Sequence, residues 1–368
     1  MPNSILRQKK KVWGFTLIEL LVAALMASIF LLATGSIVIQ TMRVDREETG
    51  RTQIQAELTQ AMQYIQQDLA EALYIYNDAE QPNGDGIPDL IENLYNPGWI
   101  RRPDGSIPVV AFWRLSPIPR ACYAGNPSLQ EIREGRAILP DEPPAGFLPN
   151  NLGDWENIRR RRNVYTLVAY YLRRNYNNAG NLADDSTTPW EGNARITRFE
   201  LQPFNSGCTA RSPFFVEDPD PFLAGFLAWP RNPAAQLPVA TQTGTTGGVP
   251  RPLVSSIFSS RQGSSQVAPD CPQGYVFGGG KPAGVTFSGL DTHQNDVGFY
   301  VCVRRSATAN LPQDVIINIT ATAMERSNPG LFRRYIQNAG SVSAEQVSRY
   351  LTTMQTRVLA RGVFNRQA

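Results

Sequence analysis

Histidine is almost missing from this chain of 368 residues: His293 is the only one. With it go the usual general base and most metal-site spacings. No G-x-S-x-G, Walker loop or H-E-x-x-H run occurs, so serine-hydrolase, P-loop and zinc-protease chemistries have no motif to rest on. Cysteine is scarce too. Cys122, Cys208, Cys271 and Cys302 are the four, and no two stand in C-x-x-C spacing, which argues against a zinc or thioredoxin-like site. Charged residues make up only 18% against 42% hydrophobic, the balance of a folded protein rather than a disordered one. The reading is a protein that is not an enzyme.

A basic surface for nucleic acid is also lacking once the charge is located. The formal charge is +3, but Arg7, Lys9, Lys10 and Lys11 supply four positive charges within the first 14 residues. The remaining chain carries 31 basic and 32 acidic side chains. Positive residues ahead of an apolar run hold the amino end on the cytoplasmic side of a membrane. The run Arg159–Arg162, with Arg173 and Arg174 nearby, has the chemistry to meet DNA, an acidic polysaccharide or another anionic partner. Beside a strand it also reads as a solvated charge run.

Polar side chains are nearly absent from Phe15 to Ile39. About 20 residues at 1.5 Å each span the hydrocarbon core of a bilayer, so 15–39 is expected to be a transmembrane helix. Glu19 stands inside it, where a carboxylate costs roughly 2.5–3.5 kcal/mol on insertion scales and is functional by default. A stripe at helical period continues through Ile54, Leu58, Ala61, Met62, Ile65, Leu69, Leu73 and Tyr76, with Glu47, Glu57, Asp68 and Glu71 on the other face. Residues 40–76 therefore read as an amphipathic continuation of the same helix.

The segment RQKKKVWG-FTLIELLVA resembles the processing site of the type IV pilin and pseudopilin family: a basic leader, a glycine, a phenylalanine, and a glutamate four residues on. The resemblance implies cleavage between Gly14 and Phe15 by a prepilin peptidase, with N-methylation of Phe15 and loss of leader 1–14. It further implies assembly with other pilin or pseudopilin subunits on an inner-membrane platform. The amino end would be cytoplasmic and residues 77–368 an exported, periplasmic or extracellular domain. Cleavage would create a cationic amine at Phe15 one helical turn from Glu19 and within reach on a neighbouring subunit, which assigns Glu19 to assembly. The run LTQAMQYIQQDLAEAL (58–73) and the segments 314–328 and 352–365 look like minor pilins of the J or PilW type. The size and the Pro/Asn-rich middle look like the pseudopilins of cyanobacterial hormogonium polysaccharide secretion. The implied fold is the α+β pilin fold, a long N-terminal transmembrane helix packed on an antiparallel sheet with long irregular insertions.

Read from the residues themselves, strands are expected at 107–115, 164–172, 194–204, 297–305, 315–324 and 354–362 for their β-branched and aromatic content. The stretches 116–153 and 212–252 read as turn-rich connections, and 241–252 as a flexible linker. QPNGDGIPDLIE (81–92) resembles a twelve-residue calcium loop. Asn83, Asp85, the Ile87 carbonyl, Asp89 and Glu92 fall at ligand positions and Gly86 at the sharp turn, while Gln81 replaces the usual first aspartate,. The same residues also suit a plain turn, and calcium is the one cofactor the sequence suggests. DTHQND, with Asp291, His293 and Asp296, reads as a polar turn before the strand at 297 rather than a metal site. Four cysteines in an exported domain suggest disulfides with three connectivities open. Cys122–Cys208 with Cys271–Cys302 is favoured because each pair tethers irregular loops to a strand region. The alternative to a filament subunit is a displayed binding module, with 77–368 holding a polysaccharide, a surface or nucleic acid through aromatics and Arg159–Arg162.

Overall fold

The computed structural model describes residues 16–76, 106–145, 152–176, 181–182, 190–202, 204–205, 207–209, 251–260, 271–278, 297–304 and 313–362. The chain divides into two units, Met1–Thr49 and Gly50–Ala368. Helix α1 (Leu17–Ala70) begins in the first and ends in the second.

In the first unit α1 presents Leu20, Leu21, Leu25, Ile29, Phe30, Leu31 and Leu32, all exposed. The hydroxyls that interrupt this surface are turned inward on the helix's own carbonyls: Ser28 to Leu25 at 2.8 Å, Thr34 to Phe30 at 2.8 Å and Ser36 to Ala33 at 2.8 Å. Each polar atom is thereby satisfied without water, as hydrocarbon requires. This helix is long and apolar enough to cross a membrane.

In the second unit Ile54, Leu58, Ala61, Met62, Ile65 and Leu69 form the stripe the sequence shows, and all are buried. They pack on a nine-stranded antiparallel sheet. Its strands are β1 (Ala72–Ile75), β2 (Ser106–Pro117), β3 (Asn163–Arg174), β4 (Ala194–Leu201), β5 (Arg251–Ile257), β6 (Tyr275–Phe277), β7 (Phe299–Arg304), β8 (Asp314–Thr322) and β9 (Leu351–Leu359). The order is β1-β2-β3-β4-β5-β8-β7-β6, with β9 on β8. The β5–β8 junction is a single pair, Ile257 with Ala321. At the other end of the order the Gln313 side chain accepts from Ile75 N–H at 2.6 Å and donates to Ile75 C=O at 2.7 Å. The first strand thus reaches the start of β8, and the sheet curls with the α1 stripe on its concave side. Val110 and Phe112, Val168 and Tyr170, and Ile317 and Ile319 supply the facing core.

Two expectations are corrected. The helix stops at Ala70 rather than Tyr76, because Ala72–Ile75 pairs with β2 and its last backbone groups are taken by Gln313. Strand β5 begins at Arg251, inside the segment read as flexible linker: Arg251 and Pro252 pair with Arg198 and Thr197 of β4. The connection after β2 contains α2 (Leu129–Arg133), started by a Ser128–Glu131 capping box, and α3 (Leu152–Arg161),. Between β8 and β9 stand α4 (Met324–Ser327), α5 (Pro329–Gln337) and α6 (Ala344–Ser348). Their apolar residues Leu331, Phe332, Tyr335 and Val347 join Phe258 in a second cluster.

Both pairs of cysteines are bridged, Cys122 to Cys208 and Cys271 to Cys302. The first closes a satellite core around Trp155, which packs edge-on against Phe204 at 6.1 Å and donates to the Pro140 carbonyl. The second ties the segment before β6 to β7.

Candidate functional site

Gly14 and Phe15 lie outside the described residues, whereas Glu19 lies within the first turn of α1. Thr16 N–H and the Thr16 hydroxyl both donate to Glu19 Oε2, at 3.0 and 2.9 Å, and Glu19 N–H approaches the Thr16 hydroxyl at 3.4 Å. This is a reciprocal capping box of the T-x-x-E kind, in which two otherwise orphaned amide donors are satisfied at a helix start. The sequence carried the signal in Thr16–Glu19 spacing, masked by the attention a lone carboxylate draws. Glu19 therefore has a local task within its own helix besides any task between subunits.

The calcium-loop residues Asn83, Asp85, Ile87, Asp89 and Glu92 lie outside the described residues, as do Asp291, His293 and Asp296. Among the described residues no group of three or more His, Cys, Asp or Glu side chains is placed to hold a metal ion.

In the second unit the charged side chain that matters most is Asp68. The sequence reading put it on the solvent face; it is 5% exposed. It accepts from Arg114 Nη1 at 2.8 Å, Arg198 Nε at 2.7 Å and the Tyr170 hydroxyl at 2.6 Å. Glu200 takes the remaining arms of both arginines, Arg198 Nη1 at 2.7 Å and Arg114 Nη2 at 3.2 Å, and a donor from Gln202 at 3.0 Å. Arg114, Tyr170, Arg198 and Glu200 come from β2, β3 and β4, with Tyr170 opposite Arg198 in register. Alternation along a strand puts residues two apart on one face, so Arg198 and Glu200 share the inward face with Ile196. Charges at inward positions require a partner, and that was the readable signal in ARITRFEL. Burial beside Asp68 pushes the Tyr170 phenol well up. Burial works against the Arg198 charge, but the bonds from Asp68 and Glu200 outweigh it and hold the guanidinium protonated.

Glu200 titrates below its ordinary 4.5: burial works the other way, and the bonds from Arg198 and Gln202 prevail. A carboxylate whose folded pKa is depressed contributes stability that is complete above the unfolded pKa and disappears as pH falls through the folded one. Glu200→Gln is accordingly expected to flatten the loss of stability on acidification below pH 4.5, measured by denaturant titration at stepped pH. An unchanged slope would remove Glu200 from the acid response.

The arginine tetrad is divided among separate tasks. It forms the last turn of α3, where cations complement the helix dipole,. Arg159 pairs with Asp141, Arg160 with Glu156 at 3.7 Å, and Arg161 stacks on Tyr165 at 5.2 Å. Arg162 ends the helix at φ 58°. Arg174 is buried on Ser259 and Ser260. The tetrad thus does not present one cationic stripe. A cleft of about 1130 Å³ opens instead beside the ion cluster, lined by Tyr64, Arg120, Arg133, Arg198, Glu200 and Gln202 among others.

Comparison with protein-family models, with curated proteins and with solved structures finds no match to this chain.

Proposed function

We propose that this chain is a minor subunit of a type IV pilus-like or type II secretion-like filament, with a pilin fold. It is cut between Gly14 and Phe15 by a prepilin peptidase, N-methylated at Phe15, and joined to other subunits through its N-terminal helix, helping to start assembly or to export polysaccharide or protein. The observation that carries the reading is the Gly14–Phe15–Glu19 signature at the head of a membrane-length helix. The α+β architecture supports it, since a later stretch of that helix packs on an antiparallel sheet. The orientation that follows is N-terminus in the cytoplasm and residues 77–368 exported.

Glu19 then has two tasks, capping its own helix and meeting the Phe15 amine of a neighbour. At 4 Å and an effective dielectric near 20 such a pair gains about 4 kcal/mol. Two substitutions separate the tasks. Glutamine keeps the capping geometry, because Gln serves at the third helical position as Glu does, but it carries no charge. Glu19→Gln and Glu19→Ala are both expected to be cleaved normally and both to enter the filament at least tenfold less than wild type, read by quantitative blotting of sheared filaments. Normal incorporation of Glu19→Gln would reduce the residue to a helix cap.

A second reading, a displayed binding module, draws on the cleft beside Arg198, where Tyr64 offers an exposed ring and Arg120 and Arg133 exposed cations. An acidic polysaccharide has the chemistry for it. On this reading retention of such a glycan by the intact protein depends on Arg133.

A further inference from the structure

Strand β9 is nine residues long, LTTMQTRVL, and pairs with β8 without a break from Leu351↔Thr322 to Leu359↔Asp314. The flanking bonds fix which of its backbone groups are used. Ala323 N–H donates to Tyr350 C=O and Ala360 N–H to Gln313 C=O. Residues 350 and 360 therefore face β8. In an antiparallel ladder the bonded pairs recur every second residue. The even-numbered residues between them also face β8, while Leu351, Thr353, Gln355, Arg357 and Leu359 direct N–H and C=O away from it. Among the described residues, no backbone or side-chain group bonds to those outward positions.

The usual protections of such an edge are missing. Natural edge strands are kept short, bulged, charged with lysine or interrupted by proline, because an unpaired row of amides is a template for another strand. β9 has no proline and no bulge, and Thr352, Thr353, Thr356 and Val358 favour extended backbone,. Its one charge, Arg357, is held on Asp314 of β8. Thr353, Gln355, Arg357 and Leu359 are exposed. What fits is an extended segment: only another backbone matches donors and acceptors repeating every second residue, at about 3.4 Å rise per residue. With Arg357 already neutralised, no charge on the edge calls for a charged partner.

We propose that the outer edge of β9 is a docking site where an uncharged, β-branched segment of another polypeptide adds to the sheet as a further strand. The proposal does not depend on the filament reading. Its test uses the full chain in detergent micelles and a fluorescent peptide of sequence DVIINITAT on a solubilising tail. That sequence is β8's own and pairs with β9 in the fold.

Gln355→Pro removes the central outward N–H and leaves every bond to β8 in place, since position 355 does not face β8. The variant is expected to keep the wild-type far-UV circular dichroism and to bind the peptide at least tenfold more weakly, by fluorescence anisotropy. Thr356→Pro, which deletes a bond to β8, is the contrasting variant and is expected to lose stability. A peptide N-methylated on alternate amides is expected not to bind. Equal binding by wild type and Gln355→Pro, binding of the methylated peptide, or no binding by wild type would each overturn the proposal. Self-association of the chain abolished by Gln355→Pro would overturn the choice of partner and put a second copy on the edge.

Discussion

Asp68→Ala is expected to lower the unfolding free energy of the second unit by about 3 kcal/mol, at the lower end of the range for breaking a buried ion pair from one side. Three donors lose their acceptor at once: Arg114, Arg198 and the Tyr170 hydroxyl. The arginine side chains are 19% and 12% exposed, so water cannot fully replace the carboxylate. Glu200 stays bonded to both, which keeps the effect from the upper end of the range. Asp68→Asn retains an acceptor and the side-chain volume, and is expected to cost roughly half as much. Urea denaturation of the chain in micelles reads both. A loss below about 1 kcal/mol for the alanine variant would mean that Glu200 alone holds the arginines. The seat of α1 would then be set by its apolar stripe, not by Asp68.

Removing the Cys122–Cys208 bridge is expected to be the other large loss. The bond closes a stretch with sequence separation 86, against 31 for Cys271–Cys302. The chain-entropy relation assigns about 4.6 and about 3.7 kcal/mol to loops of those sizes. The first bridge also holds together the satellite core of Ile118, Tyr123, Leu139, Trp155 and Phe204, which packs separately from the main core. Cys122→Ala with Cys208→Ala should therefore melt lower than Cys271→Ala with Cys302→Ala and open first to protease between residues 118 and 164. Equal melting temperatures and the same first cleavage site in both double variants would contradict this assignment.

What could be read from the sequence, and what could not, follows from the range of the interactions. The stripe from Ile54 to Leu69 was legible because helical period is local, and six strands were legible because alternation and β-branching are local too. The end of α1 was not. Leu73 and Tyr76 continue the helical period, and only Gln313, far along the chain, shows why the backbone turns to strand at Ala72. Strand β5 opens with Arg-Pro, which reads as a linker until β4 is there to pair with it. Asp68 was read as a solvent-face charge because its partners Arg114, Tyr170 and Arg198 are 46, 102 and 130 residues away. Glu19 shows the opposite case. Its cap with Thr16 is as local as an interaction can be, yet the weight of a carboxylate in an apolar run directs attention to a distant partner.

The measurement that bears most directly on the filament reading is intact-mass and N-terminal analysis of the protein extracted from membranes of cells with and without their prepilin peptidase. The account predicts a chain starting at N-methylated Phe15 when the peptidase is present, and one still carrying residues 1–14 when it is absent. A chain beginning at Met1 in both would contradict it, leaving Glu19 as a helix cap and the protein as a membrane-anchored binding domain.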